Sequence, residues 1–406
     1  MSAIVPDGAT LRRELAGLCG ASTDDERREA YARAAWSTLV EPGDGTAGSL
    51  VAALGAERAL EVALSVRAPC PVGEITVQQL TAGRDRWLPR RDRVADALER
   101  ARKASVRLLT PADGDWPARS ADLGPHEPLC LWTRGDTGLL SIPAPALALV
   151  GARASTTYGD FVAAELAAES AAAGVTVVSG GAYGIDGAAH RAAVAAGGAT
   201  VAIMAGGVDR AYPAGHRDLI ERIVREGLVV AEVPCGTTPT KFRFLARNRL
   251  IAALSDATVV VEAGWRSGAH NTAHHAQMIG RPVGVVPGPV TSAASMGCHR
   301  LLRESDATCV TTFAEVRELI GYAGSFEGPG RGDPGARDDE YTGDRTRILD
   351  ALSSRSPRTV ADVARRAGFG FGEAAALLGM LELDGAARRR GDEWIQASPT
   401  PPATLW

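Results

Sequence analysis

The chain has 406 residues, 45% hydrophobic and 23% charged, with a formal net charge of −4 at pH 7. That length accommodates two or three domains, each with its own core, and the net charge excludes a globally basic nucleic-acid binder, so any such function has to be local. Cys19, Cys70, Cys130, Cys235, Cys298 and Cys309 form no C-x-x-C pair, which argues against a zinc ribbon or a disulfide scaffold. That cysteine usage suits a cytoplasmic protein; the early charges Asp7, Arg12, Arg13 and Glu14 interrupt any signal core, and no apolar run is long enough for a membrane.

Residues 1–104 predict a small helical domain, with apolar positions at helical spacing through Tyr31–Leu39, Leu50–Leu54, Leu60–Val66 and Val94–Ala101. From Ser105 the pattern changes. Arg107–Leu109 and Leu129–Thr133 read as short strands, followed by a regular series of strands at Ala146–Val150, Val175–Ser179, Thr200–Met204, Leu228–Glu232, Thr258–Val261 and Val283–Val286. Helices Asp160–Ala173, Ile185–Ala196, His216–Arg225, Leu245–Leu254 and Thr272–Ile279 fall between them. Such alternation forces right-handed crossovers and a doubly wound parallel sheet, an α/β fold over residues 105–325. Residues 326–343, rich in Gly, Pro and charge, predict a flexible linker. Residues 344–398 predict helices Thr346–Leu352, Val360–Ala367 and Glu373–Leu383 and then a hairpin turning at Gly391-Asp392, the pattern of a winged helix, with a loose tail at 399–406.

In an open parallel sheet, ligands bind beyond the carboxyl ends of the strands, where strand order reverses. Four loops at that edge carry candidate chemistry. Gly151 turns the first sharply, Ala152 and Arg153 follow at its mouth, and Ser155 to Thr157 offer hydroxyls and N–H groups to an anion. In the second, Gly180, Gly181 and Gly184 allow close backbone approach. Glycines of this kind also serve ordinary strand–helix turns, and no acidic residue ends the next strand to hold a ribose.

The third loop, Lys241-Phe-Arg-Phe-Leu-Ala-Arg-Asn-Arg249, gathers four cations and two phenylalanines. Phosphate neutralisation beside base stacking is what single-stranded nucleic acid requires. Lys241 and Phe244 are expected to touch ligand, whereas Arg247 and Arg249, with Asn248 between them, either join in or pair with buried acids such as Asp256 or Glu262. The fourth loop places Ser267 and Gly268 at a helix start, another anion nest. His270 and His274 stand four apart but lack a third ligand nearby and an H-E-x-x-H glutamate, so no metal is expected. No Walker A, nucleophile elbow or paired-carboxylate motif is present, and neither a catalytic residue nor a cofactor is assigned.

Val150-Gly-Ala-Arg153, Ser179-Gly-Gly-Ala-Tyr-Gly-Ile-Asp186 with His190, Tyr212-Pro213, Arg247-Asn-Arg249, Ser267-Gly268 with Thr272, and Pro287-Gly288 occur in that order. Together they resemble the DNA-processing protein A (DprA/Smf) family, from about Trp116-Pro117 to Leu302. The resemblance implies an extended Rossmann fold, a sterile-alpha-motif-like N-terminal domain and a C-terminal winged helix. It further implies a homodimer that binds and protects single-stranded DNA and helps load RecA recombinase onto it in DNA processing and transformation. The family's DNA-contacting arginine, lysine and phenylalanine fall on Arg153, Lys241 and Phe244. Its Gly-Ser-Arg is Gly151-Ala152-Arg153 here, one hydroxyl fewer, and a leucine of its second loop is Gly181.

The rival reading is an enzyme resembling the Rossmann nucleoside-monophosphate phosphoribohydrolases, but Glu262-Ala-Gly-Trp-Arg-Ser-Gly268 lacks their P-G-G-x-G-T-x-x-E pattern. A third class is a protein-binding adaptor. Helix Glu373–Asp384 carries Glu373, Glu382 and Asp384 without a cation and would repel a DNA groove, while Arg388-Arg-Arg390 of the wing suits backbone contact. Protein contact is the reading favoured for this module.

Overall fold

A computed structural model describes residues 5–65, 69–91, 93–141, 144–321, 347–354, 356–383 and 385–397. The linker expected at 326–343 and the tail at 399–406 lie outside them. The chain divides into two compact units, Met1–Phe326 and Glu327–Trp406.

Among the described residues six α-helices open the first unit: α1 (Gly8–Glu14), α2 (Asp24–Leu39), α3 (Gly45–Leu54), α4 (Ala56–Leu64), α5 (Val77–Trp87), followed by a short 3-10 turn at Leu88–Arg90, and α6 (Val94–Lys103). Capping boxes start two of them, Thr23 with Glu26 at α2 and Thr76 with Gln79 at α5, each satisfying two otherwise orphaned N–H groups. Trp36 and Trp87 meet edge to face at 5.2 Å.

The sheet contains β1 (Arg107–Leu109), β2 (Leu131–Gly135), β3 (Ala146–Val150), β4 (Thr176–Ser179), β5 (Thr200–Met204), β6 (Leu228–Ala231), β7 (Ala257–Val260), β8 (Val283–Val285) and β9 (Thr308–Cys309). Their spatial order is β1-β2-β6-β5-β4-β3-β7-β8-β9. From β6 to β9 every neighbouring pair is parallel, joined through α7 (Thr157–Ala172), α8 (Ile185–Ala195), α9 (Arg217–Glu226), α10 (Lys241–Ala253), α11 (Ala269–Met278) and α12 (Met296–Glu304). The expected purely parallel sheet is thus extended by an antiparallel edge, β1 on β2 and β2 on β6. The edge strand β9 was not expected: its two residues are both exposed and give no apolar run to read. Strand order reverses at β3, which lies between β4 and β7, so the ligand crevice belongs at the carboxyl ends of β3 and β7.

Alternate residues of each strand serve opposite faces. Ala148, Val178, Val201 and Val260 join one core with Leu250 and Ile251 of α10 and Ala273 of α11. Leu147, Leu149, Val177 and Val259 join another with α7, α8 and α13 (Phe313–Leu319). Towards the antiparallel edge, Trp132, Ala202, Met204, Val229 and Ala231 share a core with Leu11, Trp36, Leu50, Leu60, Trp87 and Leu98. The N-terminal helices and the sheet are therefore continuous inside.

In the second unit a helix over 347–351, α14, precedes β10 (Arg358–Thr359), α15 (Val360–Ala367), α16 (Phe371–Leu383), β11 (Ala387–Arg390) and β12 (Glu393–Gln396). The hairpin forms as the sequence predicts, and β10 adds a third strand, giving the order β10-β12-β11. Ile348, Val363, Leu378 and Trp394 centre its core.

Candidate nucleic-acid interface

The β3–α7 loop leaves Val150 at the switch point and projects Arg153 into solvent. Among the described residues Arg153 forms no ion pair; its guanidinium instead lies over the ring of Phe244, 4.4 Å from the centroid. Two of the three hydroxyls expected to face an anion here do not, while Thr157 is exposed. Ser155 donates to Asp160 at 2.5 Å, and Thr156 donates to the buried Glu262 through both its hydroxyl (2.6 Å) and its N–H (2.9 Å). Glu262 thereby anchors the start of α7.

The β4–α8 loop is locked to the first. Gly184 has φ +75°, and a Cβ there would stand 2.2 Å from the Ala152 carbonyl oxygen, so only glycine fits. Ile185 N–H, opening α8, donates to that same carbonyl at 3.2 Å. Gly180 serves a different neighbour: a Cβ there would strike the Arg247 guanidinium at 2.4 Å. Gly181, with φ +65°, presents its carbonyl to His216 Nδ1 at 3.1 Å. Asp186 is buried, and desolvation raises its pKa against the opposing pull of Arg247.

Helix α10 begins at Lys241, four residues before the predicted start, with Thr240 as its cap. The four cations of this segment therefore belong to one helix and point different ways. Lys241 is exposed in the first turn, which contains no acidic residue; a cation there opposes the helix dipole, an arrangement an anionic ligand would relieve. Phe244, half-buried, faces the crevice. Arg247 is buried, donates to the Gly180 carbonyl at 2.7 Å and to the Ile203 carbonyl, and has its pKa lowered to about 10 by burial. Asn248 donates to the Gly268 carbonyl (3.3 Å) and to Asn271 (3.2 Å), tying α10 to α11. Arg249 points away from the crevice, held by Glu232 at 2.7 and 2.8 Å and by the His126 carbonyl at 3.0 Å.

These positions correct the sequence reading in detail. Arg249 pairs with an acid, but with the partly buried Glu232 rather than Asp256 or Glu262, because Asp256 is taken by Arg119 at 3.0 Å and Glu262 by Thr156. Arg247 pairs mainly with carbonyls.

In the fourth loop Ser267 Oγ accepts from Ala269 N–H at 3.3 Å, and a Cβ on Gly268 would meet open space. Among the described residues His270 has a buried Nε2 without a hydrogen-bond partner, while His274 is exposed. Among the described residues no three His, Cys, Asp or Glu gather as metal ligands.

Two clefts meet at Phe244 and Arg153. One, about 630 Å³, is lined by Gly151, Ala152, Arg247, Asn248, Ser267 and Gly268. The other, about 390 Å³, is lined by Gly180, Tyr183, Met204, Arg210, Tyr212 and Pro239. Lys241 and Gly181 line neither. Tyr183, Tyr212 and Trp265, about half exposed at 49%, 46% and 49%, occur in the motifs and loops quoted from the sequence but were given no ligand role there, and neither was Arg210. A loop aromatic leaves a signal only when its neighbours are known: Tyr212 lies 5.7 Å from Phe244, and Arg300 covers Trp265 at 4.8 Å.

A doubly wound sheet with this crevice, followed by a winged helix, defines a Rossmann-type protein with an aromatic and cationic ligand edge. The profile of DNA recombination-mediator protein A matches residues 107–321, and that of the DprA winged helix domain matches residues 333–393. A Mycobacterium tuberculosis relative, the putative DNA processing protein DprA, is 46% identical over 314 residues, 75% of this chain and 80% of its own length. The X-ray structure of DNA processing protein A from Streptococcus pneumoniae superposes with a TM-score of 0.57 at 27% identity, over 71% of this chain and 97% of that one. DNA processing protein A from Helicobacter pylori, whose structure concerns its single-stranded DNA binding mode, is 30% identical over 53% of this chain and 95% of its own, with a TM-score of 0.48. The chain belongs to the DprA/Smf family of DNA-processing proteins. Among the described residues no helix is long and apolar enough to cross a membrane.

Proposed function

We propose that this chain is a single-stranded DNA-binding recombination mediator that acts in the cytoplasm as a homodimer and helps load RecA recombinase onto the strand. The observation that carries the DNA-binding part is Arg153 stacked on Phe244 at 4.4 Å, at the switch point between two open clefts. A planar cation on an aromatic ring offers one surface for a phosphate and another for a base. Arg153 and Lys241 neutralise phosphates, and Phe244 and Tyr212 receive bases. Arg247, Asn248 and Arg249 position these groups from within α10 and make no ligand contact of their own. Paired bases cannot offer a face to Phe244, so duplex DNA binds less well. RecA loading rests on membership of a recombination-mediator family.

The test is an anisotropy titration of labelled oligothymidylate and its duplex at several salt concentrations. Preference for the single strand, with affinity falling as salt rises, supports the reading; indifference to oligothymidylate in dilute buffer overturns it. Release of adenine from AMP would establish the hydrolase instead. RecA filament formation on strands coated with single-strand-binding protein, faster with this chain present, tests the mediator step.

A further inference from the structure

A second basic cavity lies on the other side of the β6–α10 loop, between the N-terminal helices and the sheet. It measures about 410 Å³ and is lined by Arg90, Arg93, Arg100, Arg210 and Arg243, with Asp96 as the acid among its lining residues. The arginines arrive from four pieces of structure. Arg90 ends the short helix after α5, Arg93 caps α6, and Arg100 lies on α6. Arg243 comes from the first turn of α10, one residue before Phe244. Gly236, at φ +82°, lets the Arg100 side chain cross the backbone; a Cβ there would lie 2.9 Å from its Cδ.

Local carboxylates do not balance this charge. Glu41 binds two of the arginines, Arg243 at 2.8 and 2.9 Å and Arg90 at 2.9 Å. Asp96 binds Arg100 at 2.9 Å, and Asp209 stands 3.9 Å from Arg210, a loose contact. Arg93 has no ion pair among the described residues. Among the described residues five cations thus face three carboxylates in a concave site, which focuses positive potential.

This cavity adjoins the Phe244 cleft. Arg210, Thr237 and Thr238 line both, and Arg243 donates to the Thr238 carbonyl at 2.7 Å. The geometry points to a second phosphate-binding station for single-stranded DNA, in which a strand leaving Phe244 crosses Thr237-Thr238 and places its sugar-phosphate backbone among these arginines. Among the described residues no aromatic side chain lines the cavity, so it holds backbone and reads no base. The N-terminal helices thereby become part of the DNA track. This inference rests on the DNA-binding reading above and extends it.

The test compares a short and a long oligothymidylate, about six and about twenty nucleotides, by anisotropy across a salt series. The variant is Arg93→Ala with Arg100→Ala, two exposed cations that touch only the second cavity. For the long strand its log–log salt slope flattens by about 0.7–1.4, one or two phosphates at 0.7 each, and the short strand binds as to wild type. Arg93→Lys with Arg100→Lys restores the slope, which rules out loss of fold as the cause. An unchanged long-strand slope overturns the second station while leaving the Phe244 site intact. Failure of wild type to bind either strand overturns the DNA reading itself. A variant that keeps its DNA slope but loses binding to a polyglutamate peptide shows that the arginines serve an acidic protein, and likewise overturns the inference.

Discussion

Phe244 has the Arg153 guanidinium over its ring at 4.4 Å and Tyr212 at 5.7 Å, so stacking and charge are separable at single positions. Phe244→Ala removes the ring and no charge. Affinity for oligothymidylate should fall by about 1–3 kcal/mol, with the salt slope kept; a flattened slope in that variant would mean that the ring merely props up Arg153. The sequence makes Arg153, Lys241 and Phe244 visible because a cation or an aromatic in a loop has few structural uses. It cannot show that Ser155 and Thr156 turn their hydroxyls to Asp160 and Glu262, since Glu262 comes from a distant strand end and Asp160 meets Ser155 only through the turn into α7. It separates Lys241 from Arg249 only so far as to leave Arg249 two roles, because the choice between them depends on helix phase and on Glu232.

Helix α10 turns that phase into two testable roles. Lys241 is exposed at its N-terminus, whereas Arg249 is 5% exposed in its side chain and bound to Glu232, itself 12% exposed. Lys241→Ala should leave the melting temperature unchanged and flatten the single-strand salt slope by about 0.7, one phosphate. Arg249→Ala leaves the partly buried Glu232 carboxylate with the Gly43 N–H at 3.2 Å but without its cation, and should cost about 2–3 kcal/mol of stability, seen by denaturant titration. If Arg249→Ala instead unfolded like wild type but lost a phosphate from the salt slope, Arg249 would be a DNA contact. Helix α8 adds a pH effect. Thr200 donates its hydroxyl proton to the Val177 carbonyl, so His190 Nδ1–H donates to Thr200 Oγ1 at 2.8 Å and Nε2 is buried without a hydrogen-bond partner. Burial lowers the His190 pKa to about 3 from an ordinary 6.5. Below pH 6.5 the unfolded chain takes up a proton that the folded chain refuses, so this stability is complete above pH 6.5 and drains as pH falls towards 3. Between pH 6.5 and 5 His190 should contribute a slope of up to about 1.4 kcal/mol per pH unit. His190→Gln should remove that share, leaving what His270 and His275, also lowered by burial, contribute; an unaltered slope would show that His190 protonates in place.

At the scale of the whole molecule, the sequence marks a change of pattern at Ser105 because the hydrophobic period changes there, but a change of period does not locate the far side of an interface. Trp132 lies on the strand side of that change and is fully buried in one core with Trp36, Leu60 and Trp87 from the helical side. Its indole N–H donates to Ser37 Oγ at 3.3 Å, and Arg243 of α10 reaches Glu41 just beyond α2. A chain begun at residue 105 would expose the side of Trp132, Met204 and Val229 that now meets the helices. Uncovering about half of the roughly 150–250 Å² that a buried tryptophan contributes costs about 2–3 kcal/mol at 25 cal/mol per Å² for Trp132 alone, a large share of the roughly 5–15 kcal/mol that separates a folded domain from its unfolded chain. Such a fragment should aggregate or lose its cooperative melting transition, whereas cutting between Phe326 and Glu327, where the two compact units part, should leave both pieces soluble and the first still able to bind oligothymidylate. A fragment starting at residue 105 that melts cooperatively near the temperature of the intact chain would show that the helices are a detachable domain. Equal single-strand affinity and salt slope in that fragment would also remove Arg90, Arg93 and Arg100 from the DNA track.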